Sequence, residues 1–340
     1  MRRGMITTAV AAAAAASLLV TVAPSATAAK NGYTDYHVGN AKDIVATMKG
    51  GTLLSGGGID DPTAMRWLLG RGGGTSKVKV DVVVLDAWGK DIYSQPFLDW
   101  GADSVDTYVI TARAGADDPA VVDAINKAEV IWFDGGDQSK YIDLLTNTKA
   151  QTAINDRVRA GAAFGGMSAG LAIQGGWIYS AYNGSATSSA VLANPYDKDV
   201  TLSGQLFDLP GMANVVTDTH FEARDRMGRL LGFLGRLETS MGAVKPRAIA
   251  VDEDTSLGLD PSTGTLQVFG VGTGAWLLRT DNVDRSAMVV QEKQPLTYGP
   301  VSVTRLNTGD TFTLSTWKGS GTETYAISAV NGVVSPGNPY

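Results

Sequence analysis

From about residue 50 onward the chain alternates short, unbroken apolar runs with longer segments in which apolar residues recur every three or four positions. An unbroken run has no polar face to offer to water, so it predicts a strand buried on both sides, whereas the longer segments predict amphipathic helices. Strands are expected at 51–55, 80–85, 105–110, 130–133 and 162–164. Pro62 suits the first turn of a helix over 63–69, and Asp117-Asp118-Pro119 caps another that ends near Ala128. Crossovers of this length join parallel strands, which predicts an α/β fold of three α/β/α layers around a mostly parallel central sheet. After about Thr255 the texture changes. Turn-forming groups such as Pro261-Ser262-Thr263-Gly264 and Asn307-Thr308-Gly309-Asp310 punctuate runs such as Leu266-Gln267-Val268-Phe269, the pattern of antiparallel hairpins. No linker separates the two textures and no repeat is visible, so residues 29–340 are expected to form a single domain with a C-terminal antiparallel β extension from about 255.

Ahead of this region Arg2 and Arg3 precede an Ala-rich apolar stretch over 9–22, then Pro24 and a run of small residues. That three-part layout is a secretory signal peptide over 1–28, too short in its apolar core for a membrane anchor, which predicts a secreted, extracellular protein with no membrane association after leader removal. Removing the leader leaves 26 basic side chains against 34 acidic ones, a net charge of −8, which disfavours nucleic acid and favours a cationic substrate. There is no Cys, so disulfides, thiolate metal sites and a cysteine nucleophile are excluded. With two His besides, no compact metal cluster and no cofactor are expected.

The chemistry concentrates at ends of expected strands. Gly166-Met167-Ser168-Ala169-Gly170 stands between a strand and an apolar helical pattern. A G-x-S-x-G turn in that context forces its serine into a cramped bend, exposes the hydroxyl, and aims the N–H of Ala169 at an oxyanion. A serine nucleophile needs a base. His37 falls in a polar segment and reads as a solvated loop residue, whereas His220 ends the apolar run that begins at Val215 and is the candidate base. The acid is left open between Asp197, Asp208 or Asp218 in one chain order and Asp252-Glu253-Asp254 in the other. Arg224, Arg226 and Arg229, expected on a helix running through Leu234, suggest a carboxylate pocket or, equally, a solvated face paired with Glu222 and Asp225. In Gly135-Gly136-Asp137-Gln138 the glycines permit close approach, Asp137 suits an N-cap and Gln138 offers both donor and acceptor. Gly56-Gly57-Gly58 lacks the register of a phosphate loop, and nucleotide binding is rejected.

Four of these motifs in this order, Gly135-Gly136-Asp137-Gln138, the Ser168 elbow, Asp218-Thr219-His220-Phe221 with its arginines, and Val251-Asp252-Glu253-Asp254-Thr255, resemble the cyanophycinases, a group within the serine peptidase family that also contains aspartyl dipeptidases. The resemblance implies a fold similar to class I glutamine amidotransferases, with Ser168 as nucleophile, His220 as base and Glu253 as orienting acid. It implies oxyanion donors near Gly136 and at Ala169, and pocket positions at Gln138, Asp218, Thr219, Arg224, Arg226 and Arg229. It also allows a homodimer. The implied reaction is hydrolysis of cyanophycin, a polyaspartate bearing arginine on each β-carboxyl, to β-Asp-Arg dipeptides. Thr219 departs from the family, which usually has Gln there; a shorter hydroxyl cannot span the same hydrogen bonds, so another aspartyl or β-aspartyl peptide is the alternative substrate. A non-catalytic extracellular binding protein on the same scaffold is the remaining reading.

Overall fold

The computed structural model describes residues 31–320 and 323–340; the expected leader over 1–28 lies outside the described residues. The chain lays down β1 (Tyr33–Gly39), β2 (Gly51–Ser55), β3 (Asp81–Asp86), β4 (Ser104–Ile110), β5 (Val130–Phe133) and β6 (Ala163–Met167) before any other strand. Strands β4, β3, β5, β6 and β2 lie side by side in that order and are parallel throughout. Strand β5, Val130-Ile131-Trp132-Phe133, is buried at every position, as an apolar strand between two covered faces must be. The expected cap at Asp118 and the expected proline turn at Pro62 are in place, and Asp61 adds a cap not expected from the sequence. The Asp61 side chain accepts from the N–H groups of Thr63 and Ala64 ahead of the helix Pro62–Arg71, and Asp118 accepts from Ala120 ahead of Pro119–Lys127, with a proline at the start of each helix.

Beyond β6 the chain forms β7 (Trp177–Tyr179), β8 (Leu202–Gly204), β9 (Val215–Asp218) and β10 (Arg247–Val251), and then β11 (Thr255–Asp260), β12 (Thr265–Gly270), β13 (Ala275–Arg279) and β14 (Tyr298–Leu306). Strands β11 and β12 continue the first sheet as an antiparallel pair beside β2. This is the antiparallel extension expected after Thr255. Strands β13 and β14 instead join β10, β9 and β7 in a second sheet, in which β10 is parallel to β9 and antiparallel to β13. The switch follows from burial. Ile249, Val251, Ala275 and Leu277 face the core shared with the first sheet, while Ala248, Ala250, Trp276 and Leu278 face a second core against the helix Met227–Ser240. The first sheet's other face buries Leu53, Val82, Val84 and Trp132 beneath helices Pro62–Arg71 and Ser94–Trp100.

One expectation is corrected. His37 is not in a loop but in β1, which pairs antiparallel with β4 opposite Asp106, and its Nδ1 lies 2.7 Å from that carboxylate. Strand β1 is the edge strand of the first sheet, and burial falls along it from Tyr33, which is buried, to His37, which is exposed.

Among the described residues, no helix is long and apolar enough to cross a membrane.

Candidate active site

Three neighbouring strands of the first sheet end around Ser168. It follows β6 directly, at φ 54° and ψ −108°, a backbone conformation L-residues rarely adopt. The flanking glycines explain how the bend exists. A Cβ on Gly166 would come within 2.6 Å of the Gly170 carbonyl carbon, and one on Gly170 within 2.2 Å of the carbonyl oxygen of Phe133. Both positions must therefore lack a side chain if the helical turn Ala169–Ala172 is to pack back onto β5 and β6. The Ser168 N–H donates to the carbonyl of Ser55 at 2.9 Å, and its own carbonyl accepts from Ala172, so the backbone of the bend is held at both sides.

His220 comes from the second sheet, two residues beyond β9, and also has a positive φ of 43°. Its N–H donates to the carbonyl of Gly56 at 3.0 Å. Its Nε2 is 2.8 Å from Ser168 Oγ, and its Nδ1 is 2.6 Å from Glu253 Oε1. The imidazole is nearly buried, with 7% of the residue exposed, and that burial pushes its pKa below the ordinary histidine value. The hydrogen bond to Glu253 pulls the other way, and the guanidinium charges of Arg224 and Arg226 reinforce the downward shift. A neutral imidazole hydrogen-bonded to a hydroxyl on one nitrogen and to a carboxylate on the other can accept a proton from that hydroxyl.

Of the acids that chain order left open, Glu253 is the one brought to the imidazole. Asp252 is buried and turned away, its carboxylate accepting from the Ala223 N–H at 3.0 Å and from the Thr273 hydroxyl. Asp254 folds back over the Gly57-Gly58 turn, with its N–H on the Gly57 carbonyl and its carboxylate on the Ile59 N–H. Only Glu253 of the three faces the ring. Asp197 accepts from the Asp199 N–H, Asp208 is exposed, and Asp218 is engaged elsewhere.

Asp218 and Arg229 form a buried pair in which the Arg229 Nε donates to Asp218 Oδ2 at 2.9 Å and the second guanidinium nitrogen donates to Oδ1. Arg229 also donates to Ser185 Oγ and the Ala186 carbonyl, and its guanidinium lies 5.0 Å from the centre of the Tyr179 ring. Arg226 donates to the carbonyl and hydroxyl oxygens of Thr219 at 2.8 and 2.9 Å. Here the picture of three arginines on one helix needs correction. The helix begins at Met227, Arg224 and Arg226 precede it, and only Arg229 is helical. Arg226 and Arg229 spend their donors on Asp218, Thr219 and backbone oxygens, while Arg224 is exposed, with its Nε 3.7 Å from Glu253 Oε1. The Thr219 hydroxyl is likewise buried against Arg226.

Gln138 starts the helix Gln138–Leu145 and donates from Nε2 to the carbonyl of Tyr179 at 3.1 Å, while Asp137 caps that helix through Ser139. Gly136 has φ 116°, and a Cβ on its neighbour Gly135 would lie 3.6 Å from Ser168 Cβ, so this loop borders the hydroxyl. Glycines 56–58, set aside in the sequence as a failed phosphate loop, form the seat of the histidine. A Cβ on Gly57 would stand 2.2 Å from His220 Cε1, and one on Gly56 would stand 2.0 Å from the Asp252 carbonyl oxygen. The run of three glycines after a strand was the available signal. Among the described residues, no group of three or more His, Cys, Asp or Glu is arranged to hold a metal ion.

Residues 96–189 match the model of peptidase family S51. The cyanophycinase of Nostoc sp. (strain PCC 7120 / SAG 25.82 / UTEX 2576) is 28% identical over 223 residues, 65% of this chain and 69% of its own. That of Synechococcus elongatus is 27% identical over 276 residues, 78% of this chain and 80% of its own. The chain is thus similar to peptidase family S51 and to the cyanophycinases. It is accordingly a cyanophycinase-like, serine-type peptidase, a hydrolase. The crystal structure of a peptidase from an acI-B1 Actinobacterium covers 78% of this peptidase and 97% of its own chain with a TM-score of 0.52 at 16% identity, a likeness of fold.

Proposed function

We propose that this peptidase is a secreted exopeptidase that hydrolyses cyanophycin to β-Asp-Arg dipeptides through Ser168, His220 and Glu253. The observation that carries the reading is the unbroken relay from Ser168 Oγ to His220 at 2.8 Å and from His220 to Glu253 at 2.6 Å. His220 Nε2 takes the proton as Ser168 Oγ attacks a backbone carbonyl, and Glu253 keeps the ring oriented and stabilises its cationic form. The N–H groups of Gly136 and Ala169 receive the oxyanion. The imidazolium then gives its proton to the departing amine, and water, deprotonated by the same ring, releases the acyl group from Ser168. Asp218, Arg226 and Arg229 act in this reading as a braced floor beneath Thr219 and His220, with Arg224 and Gln138 left at the rim to meet substrate.

Cyanophycinase relatives supply the substrate, and the net charge of −8 after leader removal suits a polymer covered in guanidinium groups. Thr219, tied to Arg226, favours a second reading in which the same machinery acts on another aspartyl or β-aspartyl peptide. The deciding experiment incubates purified protein with insoluble cyanophycin and, beside it, simple Asp-X dipeptides. Release of soluble β-Asp-Arg by the wild type and not by Ser168→Ala supports the first reading; turnover of the dipeptides alone selects the second. Recovery of the protein from culture medium, with its mature N-terminus near residue 29, tests secretion.

A further inference from the structure

This inference rests on the Asp–Arg polymer reading above and extends it to a second binding site. The loop between β3 and the helix Ser94–Trp100 carries Trp88, which is 61% exposed. A large indole left so open beside a reactive serine calls for a role. Its ring lies against the loop that borders the nucleophile, since a Cβ on Gly136 would stand 3.2 Å from Trp88 Cε3. Trp88 also walls a cavity of about 410 Å³ at the end of β4, which is lined as well by Thr111, Lys140, Asp143 and Leu144. Lys140 Nζ is 5.2 Å from the centre of the indole ring. Asp143, one helical turn further on, accepts from the hydroxyl of Tyr182 at 2.7 Å, and that tyrosine is itself 47% exposed. A cation, an anion and a flat apolar wall therefore share one recess, whose Trp88 wall lies against the Gly135-Gly136 loop that borders Ser168.

We propose that this cavity binds the polymer unit adjoining the one being cleaved. Each Asp–Arg unit carries one guanidinium, one free carboxylate and a three-methylene stem between them. The recess matches that sequence of groups: Asp143 pairs with the guanidinium, Lys140 with the carboxylate, and the stem lies along Trp88. A single released dipeptide fills the catalytic site and does not reach the recess, so the cavity favours long chains over their products.

The test measures binding to the inactive Ser168→Ala protein of two ligands, the single β-Asp-Arg dipeptide and an oligomer of several Asp–Arg units. Adding Trp88→Ala or, separately, Lys140→Glu is expected to weaken the oligomer by about tenfold or more and to leave the dipeptide within about twofold. Both are surface substitutions, and unchanged circular dichroism checks the fold. An unchanged oligomer affinity, or an equal loss for both ligands, overturns the proposal; equal loss means that Trp88 merely braces Gly136. If wild-type protein degrades cyanophycin while oligomer binding ignores both substitutions, only the second site falls. If Ser168→Ala protein binds neither ligand while the wild type cleaves other aspartyl peptides, the polymer reading falls and takes this site with it.

Discussion

Gly57 lies so close to His220 that a Cβ on it would stand 2.2 Å from the ring's Cε1, and its φ of 126° is one that a side chain strains. The imidazole is consequently held from two sides: the glycine loop fixes its face, and Glu253 fixes its Nδ1. Gly57→Ala should move the ring out of line with Ser168 and lower kcat by about a hundredfold, since a misplacement of ~1 Å costs that much. Steady-state kinetics beside a thermal melt check this, and near-normal kcat in a folded variant would mean that the ring does not depend on the loop.

Glu253 should matter through orientation rather than by accepting the proton. Glu253→Gln keeps the size of the side chain but can donate to Nδ1, which favours the wrong tautomer, and about a 10⁴-fold loss in kcat is expected by analogy with other triads. KM should change little. Asp252→Asn, one residue away but hydrogen-bonded to Ala223 and Thr273, should instead cost stability, and comparing the two separates ring contact from loop bracing.

The Asp218–Arg229 pair is buried on both sides, at 2% exposure for each residue. Removing one partner strands the other, so Asp218→Asn or Arg229→Met should destabilise the fold by about 3–5 kcal/mol. Urea unfolding of the single variants and of the double variant tests this, with the double variant expected to lose less than the two singles together. If these residues instead bind substrate directly, the singles would raise KM without lowering the unfolding midpoint.

Three buried carboxyl groups should make the protein less stable as pH rises. Burial pushes Asp60 up to about 6 and both Asp134 and Glu129 up to about 7. Each is harder to ionise folded than unfolded, so the stability it contributes is complete below its ordinary value near 4 and is lost as pH climbs through 6 to 7. The melting temperature should fall by several degrees between about pH 5 and pH 8. Asp134→Asn, which keeps an acceptor for the Gly135 N–H, should flatten that slope; an equally steep profile would show that Asp134 is not a source of it.

Catalysis should have the opposite dependence at its acid limb. The reaction needs neutral His220, and burial lowers the pKa of that ring beneath the ordinary histidine value of 6.5, so the acid limb of kcat/KM should be centred below 6.5. A limb centred above 6.5 would mean that Glu253 outweighs desolvation. Glu253→Gln, which removes the stabilising carboxylate, should move the limb lower still.

Residue pattern alone determined the parallel strands, the two proline-led helices with the aspartate cap of the second, the serine at a glycine-flanked bend and the histidine at a strand end. Each of these is set by local chemistry: continuous apolar runs, a fixed φ, a side chain that fits only where no Cβ intrudes. Tertiary structure decided which acid meets the ring, which arginines are spent on Asp218 and Thr219, and which later strands leave the first sheet for the second. Those outcomes depend on contacts between segments tens of residues apart. Glu253 and Asp252 are adjacent in the chain just past β10, and one meets His220 while the other accepts from Ala223 and Thr273 because β10, lying parallel beside β9, ends next to the residues that follow β9. The glycine run at 56–58 belongs with them, because its reason for lacking side chains is a ring that lies more than 160 residues away in the sequence and directly against it in the fold.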